Sequence, residues 1–314
     1  MSESPTRVVI AAILGAPNAG KSTLVNRLVG SKVSIVTHKV QTTRAPVRGV
    51  AMRGAAQLVL IDTPGVFAPK RRLDRAMVSA AWTHAGDADV IVHLVDASAE
   101  ARVQEGRGSA ADRHAAADVE QICERLQALG KRAILALNKV DAMARPALLG
   151  VAQALHAKGV YSDVLMISAL TGDGVEDLAA RLCDVAQPGP WLYPEDQAAD
   201  APMRVLAAEI TREQLMLRLH EELPYDTTVE TERFEERADG SVRLEQTVFV
   251  ARESQRKIAI GEGGRTIKAI GQAARREITD LLGREAHLFL HVKVREGWAE
   301  ERARFEALGL SYED

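Results

Sequence analysis

The first 187 residues alternate between short, continuous apolar runs and longer stretches in which apolar residues recur every three or four positions. The continuous runs are 8–14, 90–95, 133–137 and 164–167. Runs of this length are typical of strands that are buried on both faces. The stretches with helical periodicity are 23–29, 118–129 and 175–185. Strands that alternate with helices predict an α/β domain whose mostly parallel sheet is covered by helices on both faces.

Other segments of this region are assigned by their composition. Residues 47–52 and 57–61 are predicted to pair as a hairpin across the glycine-containing turn between them. Segment 31–44 is polar and rich in threonine, which predicts a loop, whereas the basic segment 70–84 is predicted to be helical. Segment 99–114 is rich in Ala, Gly, Ser and Arg without a regular period, and it predicts a mobile loop or the frayed start of a helix.

A proline-rich segment divides the chain in two. Residues 188–202 contain four prolines with acidic and small residues between them, as expected of a linker. We therefore predict a first domain at 1–187 and a smaller α+β domain at 203–314. The predicted elements of the second domain are a helix at 205–223, strands at 227–235 and 242–250, a short helix before Gly261, a longer helix that ends at Leu282, a strand at 288–294 and a last amphipathic helix at 298–308.

The composition limits the class of protein. Of the 314 residues, 46% are hydrophobic and 26% are charged, which is ordinary for a soluble globular protein. The formal net charge of −3 argues against a generally basic surface for nucleic acid, so any such surface has to be local. The two cysteines, Cys123 and Cys183, lack metal-ligand spacing and predict reduced thiols in the core. The N-terminal segment lacks the pattern of a signal peptide, so we expect a cytosolic protein.

A glycine-rich segment joins the first predicted strand to the first predicted helix. It reads G-A-P-N-A-G-K-S, and this pattern between a strand and a helix predicts a nucleotide-phosphate site, because backbone amides and the helix N-terminus together bind an anion. Lys21 is expected to reach the β- and γ-phosphates, and the Ser22 hydroxyl is expected to bind Mg²⁺. The predicted phosphate-binding residues are Gly15, Ala16, Pro17, Asn18, Ala19, Gly20, Lys21, Ser22, Asp62, Thr63, Pro64 and Gly65.

Two loops that follow later strands predict that the base is guanine. The Asp141 carboxylate of the N-K-V-D segment can accept hydrogen bonds from guanine N1–H and the N2 amine, donors that adenine does not offer there. The stem of Lys139 is expected to pack on the base, and Asn138 is expected to brace the neighbouring loops. Backbone amides of 168–170 are expected to bind guanine O6. The predicted guanine-binding residues are Asn138, Lys139, Asp141, Ser168, Ala169 and Leu170.

A further group of residues is predicted to respond to the γ-phosphate. Asp62 ends a predicted strand and can hold Mg²⁺ through water, and Gly65 can present its N–H to the γ-phosphate. Thr42 or Thr43 would complete the Mg²⁺ shell when GTP is bound. We favour Thr43, although the sequence leaves both open. The predicted switch residues are Gln41, Thr42, Thr43 and Arg44, and the predicted Mg²⁺ ligands are Ser22 and Thr43.

A second glycine loop lies in the C-terminal domain, between two predicted helices. A glycine turn at such a place lets a nucleic-acid backbone approach closely, while a neighbouring groove can read unpaired bases. Residues 202–314 carry 18 basic and 22 acidic residues, but 252–293 carry 9 basic and 5 acidic residues, so positive charge is concentrated around this loop. The predicted RNA-binding residues are Gly261, Glu262, Gly263, Gly264, Arg265 and Lys268.

In this order, the motifs resemble those of the Era family of translation-factor-type GTPases. The resemblance rests on K-V-Q-T-T-R at 39–44, D-T-P-G-V at 62–66 and the single nucleotide domain, and it extends over essentially the whole chain. It implies that the second domain is a KH domain of type II and that the chain hydrolyses GTP with Mg²⁺. It also implies binding to the 3′-terminal region of small-subunit (16S) rRNA, a role in 30S subunit assembly and rRNA processing, and a loose peripheral association with the inner membrane.

Three residues qualify this resemblance. Val66 stands where Ras-like GTPases have glutamine, and since valine cannot orient water, we expect slow intrinsic hydrolysis. The catalytic group is unassigned, and Arg44 is a weak candidate for an arginine finger. Asn18 resembles the asparagine of related GTPases that bind K⁺ beside the phosphates, which implies K⁺ as a second cofactor. Glu262 departs from the basic loop residues common in the family.

Two other functions are compatible with parts of the pattern. A P-loop kinase acting on a small molecule would share the phosphate loop, but the N-K-V-D and D-T-P-G segments argue against it. A GTP-gated interaction protein with a peripheral membrane role would dock its C-terminal domain on protein instead of RNA. The interpretation that we favour is a switch in which loops 31–44 and 62–84 order around the γ-phosphate and alter the RNA-binding surface.

Overall fold

The computed structural model describes residues 5–39, 42–220, 223–298 and 301–312. The described residues form two compact units. The first contains 5–34, 43–200 and 309–312, and the second contains the remainder, which includes the short segment 35–39 and residue 42. Each unit is treated by itself below.

The first unit is a sheet with helices on both faces. Its elements are β1 (Arg7–Leu14), α1 (Lys21–Val29), β2 (Val47–Arg53), β3 (Ala56–Asp62), α2 (Arg72–Asp87), β4 (Val90–Asp96), α3 (Ala97–Gln104), α4 (Ala110–Ala128), β5 (Ala133–Asn138), α5 (Arg145–His156), β6 (Tyr161–Met166), α6 (Val175–Val185) and β7 (Gln187–Pro188). The main strand order is β2-β3-β1-β4-β5-β6, and β7 adds an antiparallel pair with β1. All neighbours along this path are parallel except β2 and β3, so the predicted mostly parallel sheet and its hairpin are confirmed.

Two hydrophobic cores lie on opposite faces of this sheet. In β1, Val9, Ala11 and Ile13 belong to one core, and Ala12 and Leu14 belong to the other. This alternation follows from the period of two in a strand, and it explains why the strand reads as a continuous apolar run. Both ends of the phosphate loop are therefore attached to rigid, fully packed elements.

The prediction of a loop or frayed helix start at 99–114 is wrong. Helix α3 begins directly after β4, where the Asp96 carboxylate accepts a hydrogen bond from the Ala99 N–H at 3.1 Å. Helix α4 begins eight residues earlier than the periodic stretch, because Ser109 and Asp112 form a capping box there. Arg102 joins the two helices through an ion pair with Asp112 at 2.6 Å. These caps and pairs order a segment that has no hydrophobic period of its own. Helix α5 is a further element that the apolar pattern did not predict.

The second unit has the element order predicted for a KH domain of type II. Its elements are α7 (Met203–Arg218), β8 (Thr227–Glu236), β9 (Val242–Val250), α8 (Glu253–Ile260), α9 (Arg265–Leu282), β10 (Ala286–Val294) and α10 (Arg302–Ala307). The sheet order is β10-β9-β8, with β10 parallel and β8 antiparallel to β9. Helix α7 ends five residues before the predicted Leu223, because Leu219 turns to an extended conformation and buries its side chain. Helix α10 is shorter than the predicted 298–308.

The predicted linker, 188–202, lies mostly with the first unit. The fully buried Gln57 of β3 accepts hydrogen bonds from the N–H groups of Leu192 and Tyr193, at 2.8 and 3.1 Å, and donates one to the Tyr193 carbonyl at 2.8 Å. The Trp191 indole donates to the Ala55 carbonyl at 3.1 Å. Within the described ranges, no helix has both the length and the hydrophobicity needed to cross a membrane.

Candidate nucleotide and RNA sites

The phosphate loop, residues 15–22, lies between β1 and α1 at the carboxyl edge of the sheet. Gly20 precedes α1 with a φ of 102°, and a Cβ there would come within 2.3 Å of Asn138 Nδ2. Glycine is therefore required at this position for both its conformation and its lack of a side chain. Asn18 is exposed and has a φ of 61°. Among the described residues, the two non-glycine positions with positive φ are Asn18 and Lys139, which both belong to the predicted nucleotide site.

Lys21 lies inside the loop that it follows. Its ammonium group is 7% exposed and donates hydrogen bonds to the carbonyls of Gly15 and Ala16, at 3.0 and 2.9 Å. Burial lowers the pKa of Lys21 to about 8, against the opposing effect of the Asp62 carboxylate. A poorly solvated ammonium group held among backbone carbonyls is well prepared to bind phosphate oxygens.

Three oxygen-bearing side chains converge beside Lys21. The Ser22 hydroxyl donates to Asp62 Oδ2 at 2.6 Å and lies 3.0 Å from the Thr43 hydroxyl, which is 3.4 Å from the same carboxylate oxygen. The other carboxylate oxygen, Asp62 Oδ1, is buried and has no hydrogen-bond partner among the described residues. Burial raises the pKa of Asp62. A hard, all-oxygen group with an unsatisfied buried carboxylate oxygen fits Mg²⁺, and its residues are those that would hold the ion.

The adjacent threonines have different surroundings. The Thr42 hydroxyl donates to the Lys39 carbonyl at 2.7 Å and lies 2.6 Å from the Thr37 hydroxyl, whereas Thr43 points to Ser22 and Asp62. Arg44 is 4% exposed. The predicted switch residue Gln41 lies outside the described residues.

The segment after β3 closes against the phosphate loop. The Thr63 hydroxyl donates to the Ile13 carbonyl at 2.6 Å, and the Val66 N–H donates to the Gly15 carbonyl at 3.1 Å. Gly65 packs so closely that a Cβ would come within 2.9 to 3.1 Å of three atoms of Pro17. The side chain of Val66 is 4% exposed, and Pro64 is also buried. The D-T-P-G segment is thereby held at van der Waals distance from the residues that are predicted to bind phosphate.

Asn138 joins the phosphate loop to the second predicted base loop. Its Nδ2 donates to the Ala19 carbonyl at 2.7 Å, and its Oδ1 accepts from the Ala169 N–H at 2.9 Å. The side chain is 2% exposed. Ser168 is fully buried, and its hydroxyl accepts from the Thr171 N–H at 3.1 Å. One amide side chain therefore fixes the separation of two loops that are far apart in sequence.

The remaining predicted base contacts lie at the surface of the same edge. Lys139 donates to Asp96 Oδ2 at 2.6 Å, an acceptor at the end of β4 that the sequence patterns did not single out. Because Asp96 also caps α3, one carboxylate positions both the helix and the lysine stem. Asp141 is exposed, and the Leu170 side chain is 71% exposed. Ion pairing of this kind leaves no sequence signal unless the strand order is known.

The glycine loop of the second unit is a single turn between α8 and α9. Gly261, Gly263 and Gly264 all have positive φ, and a Cβ on Gly261 would come within 2.2 Å of Thr266 Oγ1. Glu262 is exposed and forms an ion pair with Arg265. The acidic residue of the loop is thus paired with the basic residue that follows it.

A groove runs beside this loop, between α9 and β10. It has a volume of about 340 Å³. Lys268 was predicted from the sequence, but the other lining residues were not, because they come from two elements that only the fold brings together. The lining residues are Ile267, Lys268, Gly271, Gln272, Arg275, Leu288 and Leu290. Apolar walls with amide and cationic groups at the rim suit unpaired bases and their phosphates.

Comparisons with known proteins agree with both units. A family described as "50S ribosome-binding GTPase" matches residues 10–139, and the KH domain family matches residues 222–299. The chain is 61% identical to GTPase Era of Caulobacter vibrioides over 310 residues, which cover 99% of this chain and 98% of that protein. It is 53% identical to GTPase Era of Maricaulis maris, with full coverage of both.

Two solved structures have the same overall fold. One is Era in complex with MgGDPNP and nucleotides 1506–1542 of 16S ribosomal RNA, and the other is a variant of Aquifex aeolicus Era bound to GDP and AlF4⁻. Each has a TM-score of 0.86 and 34% sequence identity, and the match covers 97% of this chain and 99% of the other. The fold and the site together define a P-loop GTPase with a C-terminal KH domain. The chain belongs to the Era family of GTPases, as its sequence motifs predicted.

Proposed function

We propose that this GTPase binds the single-stranded 3′-terminal region of 16S rRNA and acts in assembly of the 30S subunit. The observation that carries the proposal is the glycine turn of residues 261–264 beside the groove between α9 and β10. A solved Era structure at 34% identity contains nucleotides 1506–1542 of 16S rRNA, which supports the same ligand here. The free N–H groups of a glycine turn suit an RNA backbone, and the groove suits its bases.

The predicted nucleotide residues take these roles in the proposal. The phosphate loop and Lys21 bind the phosphates, Asp141 and the amides of 168–170 select guanine, and Ser22 with Thr43 ligates Mg²⁺. The ion would neutralise charge that develops between the β- and γ-phosphates. The rRNA-bound Era structure contains MgGDPNP, which supports this cofactor.

The switch is proposed to act through the segment that precedes Thr43. Within the second unit, the Val36 N–H donates to Glu213 of α7 at 2.7 Å, and the buried Arg212 donates to the Thr42 carbonyl. Arg212 is 1% exposed and also pairs with Glu209 at 2.5 Å. Since the next residue, Thr43, is the proposed metal ligand, recruitment of Thr43 by GTP-bound Mg²⁺ would pull on a segment held by the first helix of the KH unit.

The proposal is tested by RNA binding. We expect the full-length protein, loaded with a non-hydrolysable GTP analogue, to bind a single-stranded 16S rRNA 3′ fragment with an affinity that falls steeply with salt. Replacing Gly261 and Gly264 by Asp should abolish this binding and leave GDP affinity unchanged, because a charged side chain would block the close approach. Changing Gly240 to Asp in the β8–β9 turn, where a Cβ also meets nothing within 4 Å, is the matched control.

Three outcomes would contradict the proposal. Equal loss of RNA and GDP binding in the loop variant would mean that the glycines serve folding. Salt-independent capture of the RNA would argue against phosphate contacts. Binding of a protein, but not of the RNA fragment, would favour the alternative of a GTP-gated interaction module. A small-molecule kinase is tested separately, because it should not discriminate strongly between GTP and ATP.

K⁺ is proposed as a second cofactor through Asn18. The exposed asparagine stands in a left-handed conformation on the phosphate loop, where its amide oxygen could ligate a monovalent cation. Since Val66 cannot orient water, a cation beside the phosphates would supply positive charge for hydrolysis. GTP turnover should then be faster in potassium than in sodium buffer, and Asn18→Ala should remove the difference. Equal turnover in the two buffers would refute it. Peripheral membrane association stays a prediction.

A further inference from the structure

Two buried oxygen atoms at the nucleotide site lack hydrogen-bond partners among the described residues. They are Ser34 Oγ and Asp62 Oδ1. Ser34 is 2% exposed and Asp62 is fully buried. The Ser34 hydroxyl is close enough to lower the pKa of the Asp62 carboxyl, so both unsatisfied atoms lie in one place. Buried polar atoms are almost always paired, so such a coincidence indicates a missing ligand.

The position of Ser34 is built by a residue of α1. Asn26 lies one helical turn after Ser22, and its Nδ2 donates to the Ser34 carbonyl at 2.7 Å. Its Oδ1 accepts from the N–H groups of Val33 and Ser34, at 2.8 and 2.9 Å. Three hydrogen bonds from one side chain thus hold the Ser34 backbone to the helix that carries Ser22. The buried Val33, which belongs to the core, secures the other side.

The missing partner has to be small and has to bind both a hydroxyl and a carboxylate oxygen. Asp62 Oδ2 already interacts with Ser22 and Thr43, so Oδ1 is the oxygen left for another group. Mg²⁺ in nucleotide sites keeps several water ligands, which carboxylates and hydroxyls of the protein hold in place. A metal-bound water meets both requirements, because it donates two hydrogen bonds.

We propose that Ser34, positioned by Asn26, holds a water of the Mg²⁺ shell together with Asp62. The inference rests on the proposed Mg²⁺ site formed by Ser22 and Thr43. It assigns Ser34 as a positioning residue: the hydroxyl does not touch the metal or the nucleotide but orients a ligand of the metal. Ser34 is the last residue of the first unit before segment 35–42, so it also fixes the point from which that segment departs.

The test measures metal-dependent retention of nucleotide, not turnover. The full-length protein is loaded with a fluorescent GDP, and its release into excess GDP is followed from EDTA to saturating Mg²⁺. In Ser34→Ala, the Mg²⁺ concentration at the midpoint should rise by about 10-fold, the low end of the effect of losing an outer-shell partner. The release rate in EDTA should equal that of the unchanged protein. Ser241→Ala removes another buried serine hydroxyl, one that is already paired with Asp239, and should leave the midpoint unchanged.

The route through Asn26 is tested by a double variant. Asn26→Ala should raise the midpoint as well, and adding Ser34→Ala should raise it no further, because the two residues act in series. Additive shifts would overturn the positioning role of Asn26. An unchanged midpoint in Ser34→Ala would overturn the proposal, and so would release that is equally accelerated with and without Mg²⁺. Failure of the metal site itself is distinguishable, because the unchanged protein would then release GDP independently of Mg²⁺ and Ser22→Ala would change nothing.

Discussion

Asn138 provides a prediction whose size follows from the structure. Changing it to Ala removes the hydrogen bonds to the Ala19 carbonyl and from the Ala169 N–H, and the site is 2% exposed. A buried backbone group left unpaired costs about 1–3 kcal/mol, so the pair should cost about 2–6 kcal/mol in the nucleotide-free protein. We therefore expect the free energy of unfolding of the GTPase unit to fall by that amount.

The assay has to report on the first unit alone. Native-state hydrogen exchange resolves it, because the slowest amides of β1 and β5 exchange only on global opening of that unit. At about 1.4 kcal/mol per factor of ten, their exchange should accelerate by about 30-fold or more. The control Gln127→Ala, on an exposed position of α4, should change the free energy by less than about 0.5 kcal/mol.

One result would refute this reasoning. If Asn138→Ala weakens GDP binding but leaves the exchange of the nucleotide-free protein unchanged, the two bonds do not stabilise the empty site. The amide would then act on the nucleotide-bound state, and the two loops would not be held at a preset distance before GTP arrives.

Three further predictions concern the base, the phosphate lysine and the groove. Asp141→Asn should exchange guanine for xanthine preference, because an amide donates where the carboxylate accepted; competition binding with GDP and XDP measures it. Lys21 has a folded-state pKa of about 8 against 10.5 for the free side chain, so the unfolded chain binds more protons between these values. Stability of the nucleotide-free protein should therefore rise with pH across that window, and urea midpoints of Lys21→Met should lack this rise. Ala at both Lys268 and Arg275 should weaken rRNA-fragment binding and lower its salt dependence by about two phosphate charges at most.

Each of these predictions has an outcome that contradicts it. Unchanged GDP affinity in Asp141→Asn would remove the base-recognition role. Parallel pH profiles for Lys21→Met and the unchanged protein would mean that the ammonium group is not desolvated. A fall in RNA affinity with no change in salt slope would mean that the two groove residues do not contact phosphates.

Local motifs were readable from the sequence because each one occupies a few consecutive residues with a required chemistry. Gly20 needs a positive φ, and Gly65 needs the absence of a side chain against Pro17, so both glycines leave a signal in the chain itself. The confirmed strands read as apolar runs because both of their faces are buried. The wrong prediction at 99–114 has the opposite cause: α3 and α4 are ordered by caps and by the pair between Arg102 and Asp112, which leave no hydrophobic period.

The amino-acid sequence by itself determined the family, the order of the elements and the residues predicted to meet the phosphates and the guanine, because these depend on short segments and their order. Only the tertiary structure decided which atoms of those segments meet. It separated Thr43, beside Ser22 and Asp62, from Thr42, which bonds to Thr37. It also joined Asp96 to Lys139 and formed the groove between α9 and β10. Such contacts connect residues far apart in the chain, and their distances depend on how strands and helices pack, which no local pattern encodes.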